Sequence, residues 1–282
     1  MRDTAVGAEI PARFAALARR RLAARLGHTV LWQPAVDSTN TWARRLVAAR
    51  QAPEGVVLVA DGQQDGRGRY GRRWESPSGL GLYCSVVARP RLAAARLGML
   101  TLAAGIAAAM AVRRLARVPA VLQWPNDLLA RGRKLGGILV ETSTTGRGSS
   151  AAPVIIGWGL NLGQGREDFP LPLRRGATSL RLEDGRTPGR AALVGAFLSA
   201  LEPLLAILEA GQTRPVLRRF ARLAPGCEGA PIVIEIGGRR RRAVSRGLEE
   251  DGSLCVQLPE GERILHSADL LRVLRTRPCS WP

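Results

Sequence analysis

Lys134 is the only lysine in a chain whose 42 lysine and arginine residues are otherwise all arginine. An ammonium is a compact charge with three rotatable donors, whereas a guanidinium is a rigid planar fork that crowds poorly between two closely spaced oxygens. Lys134 is therefore the first candidate for chemistry. The competing explanation is compositional: the chain favours Arg, Ala, Gly and Pro, and one leftover lysine carries no role by itself. The neighbouring residues decide.

Between two apolar runs, the segment Gly62-Gln63-Gln64-Asp65-Gly66-Arg67-Gly68-Arg69-Tyr70-Gly71-Arg72-Arg73-Trp74 alternates glycine with arginine. Glycines let a backbone fold closely around a ligand, and arginines pair bidentately with phosphate or carboxylate. No Gly-Lys-Ser/Thr closes the loop, so it is not a Walker loop; an exposed basic hairpin tip is its ordinary alternative. Asp37-Ser38-Thr39-Asn40 has the chemistry of a helix N-cap. Trp124-Pro125-Asn126-Asp127 has the form of a strand-ending turn with a buried indole. Lys134-Leu135-Gly136-Gly137-Ile138-Leu139-Val140-Glu141 reads as a strand with glycines at a bulge, and Gly157-Trp158-Gly159-Leu160-Asn161-Leu162-Gly163 as a strand of small residues where another backbone packs. Each has a structural explanation alone; the set in this order does not.

The elements that must position these residues follow from pattern and punctuation. A helix is expected over Pro11–Leu26, stopped by Gly27, then a strand near Thr29–Trp32 and a helix from Asp37 through Trp42, Leu46 and Val47. Val56–Val59 and Leu80–Val87 read as strands flanking the glycine-arginine loop. An apolar helix over Leu92–Leu115 precedes strands at Val121–Trp124, Gly136–Glu141 and Val154–Leu160, with a small-residue loop at Thr142–Ala152. Helices are expected over Arg190–Ala210 and Pro215–Leu223. After Pro225-Gly226 the texture changes to short strands, Pro231–Ile236, Ala243–Leu248, Ser253–Leu258 and Arg263–Ser267, separated by Gly-Gly, Asp-Gly and Glu-Gly turns. That pattern predicts a small β-barrel of about five strands. The expected division is a catalytic domain over 1–225 with its core at about 30–225, a barrel over 226–275 and a tail over 276–282.

A chain of 282 residues with 46% hydrophobic and 23% charged residues has globular composition and length enough to bury a core. Its 42 basic against 23 acidic residues give +19, a balance open to nucleic acid, an acidic partner or a basic soluble surface. Two Tyr and four Phe leave little for base stacking. Cys84, Cys227, Cys255 and Cys279 form no C-x-x-C pair and read as reduced, mostly buried thiols. Met1–Ile10 lacks a secretory pattern. The uncharged stretch Leu97–Val112 is shorter than the ~20 residues a membrane span needs, so a cytoplasmic protein with a buried helix is expected.

With these motifs in order, the sequence resembles the bacterial biotin protein ligases, over roughly Trp32–Val273. The matching residues are Asp-Ser-Thr-Asn at 37–40, Gln-x-x-Gly-Arg-Gly-Arg-x-Gly-Arg at 63–72, Trp-Pro-Asn-Asp at 124–127, Lys-Leu-x-Gly-Ile-Leu-Val-Glu at 134–141 and Gly-x-Gly-x-Asn at 157–161. The resemblance implies an α/β (α+β) fold, with a mixed-sheet catalytic domain like that of class II aminoacyl-tRNA synthetases and biotin/lipoate ligases, and an SH3-like C-terminal barrel. It implies an ATP-dependent reaction in which biotin becomes biotinyl-5′-adenylate with release of pyrophosphate. A lysine of the biotin carboxyl carrier protein of acetyl-CoA carboxylase, or of other biotin-dependent carboxylases, then displaces AMP. By resemblance Lys134 and Arg69 are catalytic, and Ser38, Thr39, Asn40, Gln63, Arg67, Gly68, Arg69, Lys134 and Gly137 bind biotin. Arg69, Trp124, Asn126 and Asn161 hold the nucleotide, and Mg²⁺ arrives with ATP rather than at a protein metal site.

The sequence departs from the family pattern in places. Gln123 stands where a basic residue often precedes Trp-Pro-Asn-Asp, removing one expected phosphate contact, and Tyr70 replaces a basic or small residue. Too few residues precede the first motif for a winged-helix module, so a ligase without DNA binding is expected, with a homodimer through a sheet edge as in similar proteins. Two alternatives stand beside this reading: a lipoate or octanoate transferase, which has no ureido group for Ser-Thr-Asn and Gln63 to satisfy, and a basic nucleic-acid-binding protein, supported by charge alone.

Overall fold

The computed structural model describes residues 10–93, 96–142, 152–184, 186–266 and 269–273. Most of the expected loop between Thr142 and Ala152, Cys279, the 276–282 tail and nearly all of Met1–Ile10 lie outside the described residues.

A seven-stranded sheet forms the frame, built from Thr29–Val36 (β1), Val56–Gln63 (β2), Gly81–Ala88 (β3), Val121–Gln123 (β4), Asp127–Ala130 (β5), Arg133–Thr142 (β6) and Val154–Asn161 (β7). Its order is β1-β2-β3-β7-β6-β5-β4. β1 and β2 run parallel and the remaining neighbours antiparallel, so the sheet is mixed. Central β3 is buried at every residue and β7 at nearly every one, which explains why both read as apolar runs rather than alternating ones.

The helices are Ala12–Arg20 (α1), Thr39–Ala48 (α2), Gly98–Ala116 (α3), Leu180–Asp184 (α4), Arg190–Glu209 (α5) and Arg214–Leu223 (α6). α3 and α5 cover one face of the sheet; there Val57, Val59, Val86 and Ile156 join one large core. α2 covers part of the other face, where Trp42, Ala43 and Val47 meet Leu58, Val87 and Ile155. α3 is apolar all round because it is a central core helix. α3 and α5 are both long and apolar enough to cross a membrane, although the uncharged stretch Leu97–Val112 that makes up most of α3 reads as too short for a span; here they pack against each other, and Phe197 of α5 stacks on Trp158 of β7 at 4.8 Å between centroids.

After α6 come Glu228–Ile236 (β8), Arg239–Leu248 (β9), Leu254–Leu258 (β10), Gly261–Leu265 (β11) and Asp269–Val273 (β12). They form a five-stranded antiparallel sheet in the order β11-β10-β9-β8-β12, and Ile232, Ile234, Leu254 and Val256 continue the large core. Both residues of the Gly237-Gly238 turn have positive φ, +56° and +76°, as the tightest hairpins require. The run Arg239–Arg242 lies along β9, so successive side chains leave opposite faces of the sheet, and Arg241 pairs with Glu260 at 2.7 Å. The run is therefore not one continuous basic patch.

Candidate active site

Lys134 stands near the start of β6, where the pairing with β5 shifts register. Its ammonium lies 2.6 Å from Asp127 Oδ1 and 5.7 Å from the centre of the Trp74 ring. The backbone around it is fixed from the other side as well. Lys134 N–H donates to Gly176 O at 2.7 Å, and Thr178 N–H donates to Lys134 O at 2.9 Å. Glu183, on α4, secures that loop: its buried carboxylate takes Thr178 Oγ1 at 2.6 Å and the Arg133 guanidinium at 2.8 Å. The one lysine is thus held by its main chain on both edges while its side chain reaches an anionic partner.

Ser38 occupies the N-cap position of α2, but no side chain caps this helix; the expected cap chemistry is used elsewhere. Thr39 donates through both N–H and Oγ1 to Gln63 Oε1, at 2.9 and 3.2 Å. Ser85 Oγ lies 2.8 Å from Thr39 Oγ1 and 2.6 Å from Asn40 Oδ1, and Asn40 Nδ2 donates to Glu141 Oε2 at 2.7 Å. Gln63 Nε2 donates to Ser76 Oγ at 2.8 Å. These groups form one polar wall, and Ser38, Thr39 and Asn40 are nearly buried. Asp37 anchors its start: burial pushes its carboxyl up, but Arg45 and the Ser38 N–H together hold it below the usual range. Glycine is required behind the wall, because a Cβ at Gly157 would strike the Asn40 amide and one at Gly159 would lie 2.8 Å from Trp74 Nε1.

The glycine-arginine loop folds back as a flap. Gly68 N–H donates to Arg72 O at 2.7 Å and Trp74 N–H to Gly66 O at 2.8 Å, with a 3₁₀ turn at Arg69–Gly71. Tyr70 sits in the left-handed region at φ 56°, so the tip is a tight reversal and not a simple exposed hairpin. Arg69 donates to Asn126 Oδ1 at 3.3 Å and to Tyr70 Oη at 2.7 Å, and its guanidinium stacks on the Tyr70 ring at 4.7 Å. Arg67 pairs with Glu141 at 3.5 Å.

A cavity of about 380 Å³ lies between wall, flap and Lys134. It brings together Ser38, Thr39, Asn40, Gln63, Arg67, Gly68, Arg69, Asn126, Lys134, Gly137 and Asn161. A Cβ at Gly137 would lie beside Asp127 and the Lys134 stem at ordinary contact distance, so this glycine keeps space open next to the lysine. Asn161 lines the cavity with its amide engaged by Thr178 O at 2.9 Å and Gln164 at 3.2 Å. Trp124 does not line this cavity and is 2% exposed. Its Nε1 donates to Gly252 O at 2.9 Å, tying the catalytic sheet to the C-terminal one, because the turn after β4 faces the β9–β10 connection. Trp124 lines instead a neighbouring cavity of about 270 Å³, which shares Arg69, Ile138 and Leu139 with the first and reaches Asp251 and His266.

Sequence reasoning missed Asp127, Trp74, Ser85 and Glu141 as site residues. Asp127 and Glu141 stood inside quoted motifs, but their partners Lys134, Asn40 and Arg67 come from other elements. Tyr83 also lines the cavity; burial drives its phenol well above the ordinary value. On the same strand, burial raises the Cys84 thiol to about 12, far from a reactive thiolate. Among the described residues, no three His, Cys, Asp or Glu side chains are grouped to hold a metal ion.

A lone ammonium, a polar wall and an arginine-rich loop thus meet around one cavity on the mixed sheet. Residues 32–161 match the Biotin/lipoate A/B protein ligase family, and the chain belongs to that family. Among its relatives, the biotin--[acetyl-CoA-carboxylase] ligase of Paracoccus denitrificans is 34% identical over 246 residues, covering 83% of this chain and 96% of that protein. The corresponding ligase of Mycobacterium tuberculosis is 32% identical over 242 residues, covering 84% and 86%. The bifunctional ligase/repressor BirA of Bacillus subtilis is 31% identical, covering 87% and 74%. The biotin protein ligase from Aquifex aeolicus in complex with biotin and ATP superimposes with a TM-score of 0.74 at 26% identity, covering 86% of this chain and 99% of that one.

Proposed function

We propose that this protein ligates biotin to a lysine of a biotin carboxyl carrier protein, in two steps through biotinyl-5′-adenylate. The observation that carries the proposal is the convergence of Lys134, the Ser38–Asn40/Gln63 wall and the Arg67–Arg69 flap in one cavity. In the first step a biotin carboxylate oxygen attacks the α-phosphorus of ATP and pyrophosphate leaves. Two anions meet in that step, so the protein's task is positioning and charge stabilisation. Lys134 is assigned to bridge the carboxylate and the α-phosphate, exchanging its contact with Asp127 for theirs.

Ser38, Thr39, Asn40, Gln63 and Gly137 are assigned to biotin. A ureido ring has donors and acceptors that such a wall satisfies, as a lipoyl ring does not. Arg67, Gly68 and Arg69 close over the bound groups and keep water from the mixed anhydride. Arg69, Trp124, Asn126 and Asn161 are assigned to the nucleotide side, Trp124 through the adjoining cavity that Arg69 also lines. Mg²⁺ enters with ATP as part of the substrate. In the second step the acceptor amine attacks the acyl carbon, and AMP departs.

The proposal extends to a catalytic unit over 1–225 resembling class II synthetases, an SH3-like unit over 226–275, a cytoplasmic setting and no DNA partner. It includes a homodimer through an exposed edge of the seven-stranded sheet, of which β1 and β4 are the two edges. Acetyl-CoA carboxylase is the acceptor that relatives' names support. The test is ATP–pyrophosphate exchange: it should depend on biotin. Exchange with lipoate only, or salt-sensitive DNA binding without exchange, would overturn the assignment.

A further inference from the structure

We infer that Glu141 is a positioning residue that couples the biotin wall to the flap, and this rests on the site assignment above. Its two carboxylate oxygens face two different elements. Oε2 accepts from Asn40 Nδ2 at 2.7 Å, and Oε1 lies 3.5 Å from the Arg67 guanidinium at the root of the flap. Arg44 of α2 is a second cationic neighbour at 3.9 Å. The Glu141 side chain is 19% exposed and that of Arg67 36%, so the pair is shielded enough to orient and open enough to break.

The connection continues in the other direction. From Asn40 it passes through Ser85 and Thr39 to Gln63, then to Ser76 Oγ, which donates to Trp74 O at 3.0 Å. Trp74 closes the flap's far end through its N–H to Gly66 O. The polar chain therefore begins on one side of the flap, runs under the cavity through the biotin wall and returns to the other side. Such a ring makes flap closure and the orientation of Thr39 and Asn40 mutually dependent. Glu141 is the one charged member of this ring besides Arg67, and the only member that joins β6 to the flap by charge.

Glu141→Gln tests the coupling, because an amide oxygen still accepts from Asn40 while the attraction to Arg67 is lost. Release of preformed biotinyl-adenylate without acceptor should accelerate roughly fivefold, the equivalent of a partly exposed ion pair near ~1 kcal/mol. Combining Glu141→Gln with Arg67→Gln should add little to the release rate of either alone. The flap also carries its own readout independent of catalysis: Arg67, Arg69, Arg72 and Arg73 are tryptic sites, and limited trypsinolysis of ligand-free Glu141→Gln should cut there roughly fivefold faster than in the wild type. Unchanged cleavage, unchanged adenylate release or fully additive single effects would each overturn the coupling. If the wild type lacked biotin-dependent exchange, the functional reading would fall while the cleavage comparison still decided the role of Glu141.

Discussion

Replacing Lys134 by arginine keeps the charge and changes its shape, so it separates the two explanations of the lone lysine. The ammonium fits between Asp127 Oδ1 at 2.6 Å and the face of Trp74. A planar guanidinium there is poorly shaped to bridge the biotin carboxylate and the α-phosphate that Lys134 is assigned to. Exchange should fall by roughly 10²–10³-fold, comparable to losing one charge-stabilising donor, with an unaltered thermal midpoint. Gly157→Ala is the complementary probe. Its methyl displaces the Asn40 amide and disturbs hydrogen bonds to Ser85 and Glu141, so the KM for biotin should rise roughly tenfold or more in exchange assays. Much of this was legible in the chain, because Lys134 and the quoted motifs are contiguous. What misled was residue type: Ser, Thr and Asn suit a helix N-cap and a ligand wall equally well, and only the third dimension shows that Gln63 and Ser85 claim Thr39 and Asn40.

The flap is the element on which the proposed lifetime of the adenylate depends. Arg69 joins it to Asn126 across the cavity and stacks on Tyr70. Arg69→Gly should therefore release the adenylate at least about tenfold faster while leaving the fold intact, as measured by adenylate appearing in solution. Element boundaries were legible where burial is uniform, as in β3 and β7, and less so where strands are short. β5 was missed because Asp127–Ala130 sits between a Pro-Asn step and an Arg-Gly turn, and its partners β4 and β6 flank it at hairpin distance. α1 ends at Arg20 rather than Leu26, and α3 begins at Gly98 rather than Leu92; helical periodicity does not mark where tertiary contacts stop. α4 is a short turn held by Glu183, and its carboxylate's role in anchoring the lysine loop has no local signal.

At the scale of the whole molecule, charges distant in sequence hold the sheet, the N-terminal segment and α5 together. Arg25 bonds Glu54 at 2.8 Å and Glu209 at 2.7 Å. Hydrogen bonding to Arg25 holds the Glu209 carboxyl below its ordinary 4.5. A carboxyl depressed in the folded state stabilises fully above its unfolded value and loses that contribution as pH falls through the folded one. Glu209→Gln should lower the thermal midpoint by about 2–4 °C at neutral pH, and the difference should close on acidification below 4.5. The C-terminal sheet depends on Trp124 in a similar way. Trp124→Phe removes the hydrogen bond to Gly252 O, and amide exchange along β9 and β10 should quicken while that of central β3 stays slow.

The position of Trp74 gives the site its own optical signal. The indole rests against Gly159 with its N–H buried and without a hydrogen-bond partner, and the Lys134 ammonium stands over its ring. When two anions draw that ammonium toward themselves, the field across the indole changes. Emission from Trp74 should shift as the adenylate forms, giving a label-free clock for the first chemical step, which Trp74→Phe would silence.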